Sequence, residues 1–150
     1  MTPRDAATVS AWTSSKKKFH CIRDHPSHAR YAVSAGMWGA AASRLRDVLK
    51  SNMSHIMNRY CETYKGGKYI QDQLFTSNVV WPLIKQEAYC SDSVSCDKYE
   101  GSHPFPVARI GWEHVGQVFM GYNGEPEVGR AGDIKILKNT KPNAKCVPAK

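Results

Sequence analysis

The densest group of side chains that could do chemistry is the run Asp24-His25-Pro26-Ser27-His28. A carboxylate and two imidazoles can orient a substrate, move protons or hold a metal ion. His25 and His28 could supply two metal ligands from a turn, but a metal site would need a third ligand from elsewhere. The alternative is a structural loop in which Asp24 caps the turn and the histidines bond to backbone carbonyls. The run alone leaves both interpretations open.

A second candidate is the segment Gly36-Met37-Trp38-Gly39. Glycine allows close approach to the backbone, and an exposed indole between two glycines could stack on the apolar face of a sugar ring. The alternative interpretation is a tight turn closed by a tryptophan of the hydrophobic core.

A third candidate is the pair Asp72-Gln73, a carboxylate beside a carboxamide in an apolar frame. Such a pair can orient hydroxyl groups, and the carboxylate can act as a base. It could equally be the polar side of a helix. The chain contains no glycine-rich phosphate loop, no GxSxG and no HExxH, which argues against a P-loop enzyme, an α/β-hydrolase and a zincin.

The first candidate follows an element that can position it. Thr2-Pro3 predicts a helix that ends at Ser14-Ser15 and whose apolar residues Ala6, Val9 and Trp12 share a face. The apolar run 19–23 then predicts a buried strand that leads directly into the loop at Asp24. Since α/β folds place reactive groups where a strand gives way to a loop, this position favours a functional role for the loop.

A longer apolar stripe at helical spacing predicts one or two amphipathic helices that pack on strand 19–22. Its members are Leu45, Val48, Leu49, Met53, Ile56, Met57, Tyr60, Cys61 and Tyr64. We also predict short helices at 69–75 and 81–87, a loop-rich stretch over 91–106, a strand at 114–119 and a short strand through Ile134, Ile136 and Leu137.

The length of 150 residues predicts one domain over residues 1–150. Lys and Arg number 21 against 13 Asp and Glu, which gives a net charge of +8 and attracts polyanions in general. Because the basic residues are scattered along the chain, we do not expect specific recognition of nucleic acid.

No apolar run approaches the roughly 20 residues that span a bilayer. We therefore expect no membrane segment, and residues 1–18 do not resemble a signal peptide. The lumen of the secretory pathway and the cytoplasm both remain open, as does the oligomeric state.

Five cysteines form neither a CxxC pair nor a zinc-ribbon spacing. Cys21 and Cys61 lie in apolar patterns, whereas Cys90, Cys96 and Cys146 lie in polar stretches. In an oxidising compartment, the disulfide that we expect joins Cys96 to Cys146.

Several segments together resemble a known family. They are Arg4-Asp5-Ala6-Ala7, Arg23-Asp24-His25-Pro26-x-His28, Gly36-Met37-Trp38-Gly39, Tyr69-x-x-Asp72-Gln73-x-Phe75, Pro104-Phe105-Pro106-x-x-Arg109 and Val115-Gly116-Gln117. In this order they resemble the C-terminal part of a family of GT-A-like nucleotide-diphospho-sugar transferases. The resemblance covers nearly the whole chain, and the RDHPxH and GMWG pair is its most specific part.

The resemblance implies an α/β fold, which is a partial GT-A-like (Rossmann-like) fold that lacks its N-terminal donor-binding strands. It also implies a glycosyltransferase-like activity, in which a sugar passes from a nucleotide-diphosphate donor to an acceptor hydroxyl with the help of Mn²⁺ or Mg²⁺. The site residues that it implies are Asp72 and Asp24 as catalytic carboxylates, His25, His28, Trp38, Gly39 and Gln73 as substrate-binding residues, and His114 as a metal ligand.

The chain departs from that family because it contains no Asp-x-Asp to hold the metal and the diphosphate. We therefore expect that it does not transfer sugar at an enzyme-like rate by itself, and that it is either a fragment of a longer enzyme or a shortened relative. Two alternatives are a non-catalytic module that binds carbohydrate or an anionic partner, and a basic nucleic-acid-binding domain. Sugar binding without metal would favour the module, and affinity that falls steeply with salt would favour nucleic acid.

Overall fold

The structure is a computed structural model that describes residues 2–63, 71–109, 118–120, 126–128, 131–141 and 143–148. Its centre is a four-stranded mixed sheet, which confirms the α/β class. The strands are β1 (Phe19–Arg23), β2 (Trp38–Ala40), β3 (Ala88–Asp92) and β4 (Ser102–Pro104), and their order in the sheet is β2-β1-β3-β4. β1, β3 and β4 run parallel, while β2 is antiparallel to β1.

Helices precede, separate and follow the strands of this sheet, and a separate two-stranded ladder lies later in the chain. The helices are α1 (Pro3–Ser14), α2 (Ala42–Leu49), α3 (Met53–Thr63), α4 (Gln71–Phe75), α5 (Trp81–Ile84) and α6 (Ala131–Asn139). A π-helical segment, Thr76–Val80, joins α4 to α5, and 3₁₀ turns lie at Pro26–Arg30, Lys85–Glu87 and Ala144–Cys146. The ladder pairs β5 (Val118–Met120) with β6 (Pro126–Val128). Within the described ranges, no helix has both the length and the apolar character to span a membrane.

Helix α1 begins as predicted, because the Thr2 hydroxyl accepts from the Asp5 backbone N–H while the Asp5 carboxylate accepts from the Thr2 N–H. Its buried face, however, is not the predicted one. Arg4 and Thr8 are buried, whereas Val9 is 41% exposed. A pattern based on apolar residues missed this face because its burial rests on hydrogen bonds that Arg4 makes elsewhere in the fold.

The core lies on the face of the sheet that Phe19 and Cys21 share with Ala88 and Cys90, and Leu49 of α2 packs into it as predicted. The apolar stripe is divided into α2 and α3 at Lys50, whose φ of 49° is a left-handed conformation that ends α2. Met57 was expected in the core but is 47% exposed.

Two parts of the C-terminal half differ from the sequence predictions. The apolar patch at Ile136 and Leu137 lies on helix α6 instead of a strand, with Leu137 buried and Ile136 exposed. The stretch that was predicted as a loop holds the end of β3 and all of β4. Polar residues of β3 are stable there because neighbouring strands bind them, as the pair Arg23 and Asp92 illustrates. Of the strand predicted at 114–119, only the last two residues lie within the described part, in β5.

The expected disulfide between Cys96 and Cys146 is confirmed. It attaches the 3₁₀ turn Ala144–Cys146 to the loop that follows β3. The Asn143 amide strengthens this attachment by donating to the Val94 carbonyl at 3.2 Å and to the Asp97 carboxylate at 2.8 Å.

Candidate functional site

Polar residues meet where the parallel strands β1 and β3 end, which is the edge of α/β sheets that usually carries ligands. The Arg23 Nε donates to Asp92 Oδ2 at 2.6 Å, and both side chains are fully buried. Asp92 Oδ1 also accepts from the backbone N–H groups of Val94 and Ser95. This pair is therefore a satisfied structural interaction that fixes the start of the loop after β3.

Asp24, the first residue after β1, lies at the same edge and is also fully buried. Arg4 binds its carboxylate through two bonds, Nη1 to Oδ2 at 2.5 Å and Nη2 to Oδ1 at 2.7 Å. Arg109 Nη2 donates to Oδ1 at 2.8 Å, and Ser93 Oγ donates to the same oxygen at 2.9 Å. The carboxylate therefore holds two guanidinium groups in place and presents no surface to a substrate.

His25 is likewise a positioning residue in the structure. It is 2% exposed, and its Nδ1 accepts from the Ser27 backbone N–H at 3.2 Å, which caps the 3₁₀ turn Pro26–Arg30. His28 lies on the same turn, and its side chain is outside the described part. A side chain therefore caps this turn, which is the structural alternative that the sequence allowed. The capping residue is His25 and not Asp24.

The described residues do not fit the divalent cation that the resemblance implies. Mn²⁺ and Mg²⁺ prefer oxygen ligands that carry negative charge, but the Asp24 carboxylate is already bound by two arginines. One described cluster, Asp92 with Cys96 and Cys146, has its ligand atoms within 4.8 Å of one another. Its two sulfurs form the disulfide, and the Asp92 carboxylate binds Arg23. His114 lies outside the described residues.

A different set of predicted residues meets at a cavity of about 460 Å³ between β2, α3 and α4, which we call the aromatic pocket. Its lining residues are Ala35, Gly36, Trp38, Met53, Met57, Tyr60, Cys61, Gln71, Asp72, Phe75 and Thr76. Tyr60 and Phe75 pack edge to face, with ring centroids 5.1 Å apart. The Tyr60 hydroxyl lies 3.1 Å from Gln71 Oε1. Two of the predicted site residues, Trp38 and Asp72, therefore line the same cavity. The aromatic rings of Tyr60 and Phe75 line it as well.

Gln73 explains why Trp38 and Asp72 meet. Its side-chain Oε1 accepts from the Ala35 N–H at 3.0 Å, and its Nε2 donates to the Val33 carbonyl at 2.8 Å. These bonds fasten α4 to the segment that leads into β2. Gln73 is predicted as a substrate-binding residue, but its side chain is occupied in positioning the pocket.

The predicted residues thus fall into two groups that the structure keeps apart. Trp38 and Asp72 line the aromatic pocket, whereas Asp24 and His25 are buried near the ends of the parallel strands and do not line it. Gly39 pairs with His20 in the β1–β2 ladder and also lies outside the lining. Trp38 packs against the core and also contributes to the pocket wall.

Several titratable side chains are buried in the sheet itself. His20 stacks on Trp12 and its Nε2 lies 2.9 Å from Ser91 Oγ, and burial lowers the pKa of His20 to about 4. The thiols of Cys21 and Cys90 are neighbours in the β1–β3 register; their hydrogen bond raises the pKa of Cys21 and lowers that of Cys90. All three groups are buried and belong to the fold.

Tyr60 and Phe75 were not predicted as site residues, although Tyr60 belongs to the apolar stripe and Phe75 follows Asp72 by three positions. One helical turn separates Asp72 from Phe75, so the two share a face of α4, and this spacing is the signal that could have found Phe75. Comparison of the chain with protein-family models, curated proteins and solved structures finds no match.

Proposed function

We propose that this chain is a glycosyltransferase-like domain that binds a carbohydrate in the aromatic pocket. The observation that carries the proposal is the presence of Asp72 on the same pocket wall as Trp38, Tyr60 and Phe75. A sugar ring has an apolar C–H face and a rim of hydroxyl groups. Ring side chains suit the face, and an ionised carboxylate accepts hydrogen bonds from the hydroxyls.

The size and composition of the pocket support a small ligand. Its volume lies within the range of about 300–1,000 Å³ that is usual for small-molecule sites. Such sites are mostly apolar with a few placed polar groups, and here the polar groups are Asp72, Gln71 and Thr76. In the proposed role, the pocket takes the acceptor sugar, and Asp72 contacts one of its hydroxyls.

A second candidate function is a non-catalytic carbohydrate-binding module. It is favoured by the engagement of Asp24 with Arg4 and Arg109, which leaves that carboxylate unsuited to a divalent cation. A module of this kind would bind sugar equally well with and without metal. A transferase would in addition release nucleoside diphosphate from a sugar nucleotide when Mn²⁺ is supplied.

Calorimetric titration with a panel of neutral mono- and disaccharides tests carbohydrate binding, which both candidate functions require. We expect one saccharide to bind the native chain and to bind the Asp72→Asn variant at least tenfold more weakly, because the amide has lost one strong acceptor. Asp47→Asn, which changes an exposed carboxylate on α2, is the matched control and should bind as the native chain does. Equal affinity in the two variants would contradict the role of Asp72.

The same titration in the presence of Mn²⁺ and a panel of sugar nucleotides separates the two functions. Release of free nucleoside diphosphate that requires the saccharide would support the transferase. Unchanged sugar affinity without any release would support the binding module. Failure of every saccharide to bind would overturn both.

A further inference from the structure

A second cavity, of about 520 Å³, lies beyond the ends of the parallel strands, and we call it the basic pocket. One side is formed by Arg4 of α1 and by residues that follow β1, β3 and β4, among them Ser93 and Arg109. The opposite side comes from α6 and the C-terminal segment and includes Lys138, Lys141 and Asn143.

The lining of this pocket is strongly basic. It includes Arg4, Arg109, Lys138 and Lys141, and none of the described residues that line it is acidic. Asp24, which binds the two arginines, is fully buried. The described lining therefore brings four cationic side chains to one cavity.

The two guanidinium groups are held rigidly. Arg4 binds Asp24 through both terminal nitrogens, donates from Nε to the Val107 carbonyl at 3.3 Å and lies 3.7 Å above the centre of the Phe105 ring. Arg109 Nη2 donates to Asp24 and, at 2.9 Å, to Ser93 Oγ. Cations that are already fixed lose little conformational entropy when a ligand binds.

The opposite wall is also held in place. The Cys96–Cys146 disulfide and the two hydrogen bonds of the Asn143 amide attach it to the loop after β3. The two lysines and the two arginines therefore line one cavity whose walls are joined by a covalent bond.

We propose that the basic pocket binds an oxyanion of the phosphate or sulfate class. Guanidinium groups match the geometry of such tetrahedral oxyanions, and lysines supply further positive charge. The location agrees with the general tendency of α/β sheets to bind ligands beyond the carboxyl ends of their strands. This site is separate from the aromatic pocket and does not require the carbohydrate function.

Calorimetric titration with pyrophosphate, inorganic phosphate and sulfate at low ionic strength tests the proposal. The informative variant is the double substitution Lys138→Gln with Lys141→Gln, and the control is Lys135→Gln with Lys145→Gln. All four side chains are exposed, both variants lose the same total charge, and Lys135 and Lys145 do not line the pocket. We expect the first variant to bind pyrophosphate at least tenfold more weakly than the native chain and the control to bind within twofold of it.

The three titrants distinguish the possible sources of the oxyanion. Tighter binding of pyrophosphate or phosphate than of sulfate would assign a phosphorylated ligand, and the reverse order would assign a sulfated one. Affinity should also fall as salt is added, because counterions screen the lining charges. The proposal would be overturned if the two double variants lost affinity equally. It would also be overturned if the native chain bound none of the three anions. Neither result bears on saccharide binding.

Discussion

Asp72 and Trp38 lie on the wall of one pocket, although one belongs to helix α4 and the other to strand β2. The contact between these elements is made by the residue next to Asp72, since the Gln73 side chain binds the backbone of Val33 and Ala35 just ahead of β2. The Gln73 side chain thus holds helix α4, which carries Asp72, against the segment that leads to Trp38. The shape of the aromatic pocket therefore depends on Gln73.

Replacement of Gln73 by alanine should therefore lower both stability and sugar affinity. The substitution leaves the Ala35 N–H and the Val33 carbonyl without their partner, which costs about 1–3 kcal/mol for such a group when it is removed from water. Urea unfolding measures the stability, and calorimetry measures the affinity. Gln86→Ala, at an exposed position after α5, is the control, and a Gln73→Ala variant as stable as this control would contradict the positioning role.

Gly36 offers a way to close the aromatic pocket without disturbing the fold. A Cβ at Gly36 would meet nothing within 4 Å, and the residue lines the pocket. A leucine at this position should abolish saccharide binding by occupying the cavity. Gly39→Leu is the matched control, because Gly39 has the same open surroundings and lies outside the pocket. Both variants should unfold at nearly the native urea concentration, and retained binding in Gly36→Leu would argue that the sugar lies elsewhere.

Leu49 should be one of the most sensitive positions in the core. It is 6% exposed and packs with Phe19 and Cys21 of β1. Truncation to alanine should cost about 2–5 kcal/mol in the free energy of unfolding, through lost burial and the cavity left behind. Met57→Ala, at a site that is 47% exposed, should cost far less. Chemical denaturation of the two variants checks this order, and equal losses would refute the assigned packing.

His20 should make stability depend on pH. Burial lowers its pKa to about 4, whereas the unfolded chain has the ordinary value near 6.5. Between these two values the unfolded state binds the proton more readily, so stability is fully present above pH 6.5 and falls as the pH approaches 4. The free energy of unfolding of the native chain, measured from pH 7.5 to 5, should decline more steeply than that of His20→Gln. Parallel curves would show that the His20 pKa is not lowered.

The sequence predicts those elements whose stability comes from apolar burial or local capping. Thr2 and Pro3 mark the start of α1, the run 19–23 marks β1, and Leu49 marks the core. In these cases the interaction partners are close in sequence, or the side chain needs no specific partner. Burial of this kind is visible as a pattern of residue types.

The sequence does not predict the elements that are stabilised by distant polar partners. Arg4 is buried because Asp24 and Phe105 receive its guanidinium. The end of β3 is stable because Arg23 binds Asp92. The family resemblance implies one site for Asp24 and Asp72, whereas Asp24 is buried against Arg4 and Arg109 and Asp72 lines the aromatic pocket.

Fluorine NMR of the chain labelled with 5-fluorotryptophan shows whether the saccharide binds in the aromatic pocket, because Trp38 lines that pocket. The four tryptophans, Trp12, Trp38, Trp81 and Trp112, each give one resonance, and single Trp→Phe variants assign them. When the saccharide selected by calorimetry is added, we expect the Trp38 resonance to shift and Gly36→Leu to abolish the shift. A Trp38 resonance that stays unchanged while the saccharide binds would show that the ligand occupies another part of the molecule and not the aromatic pocket.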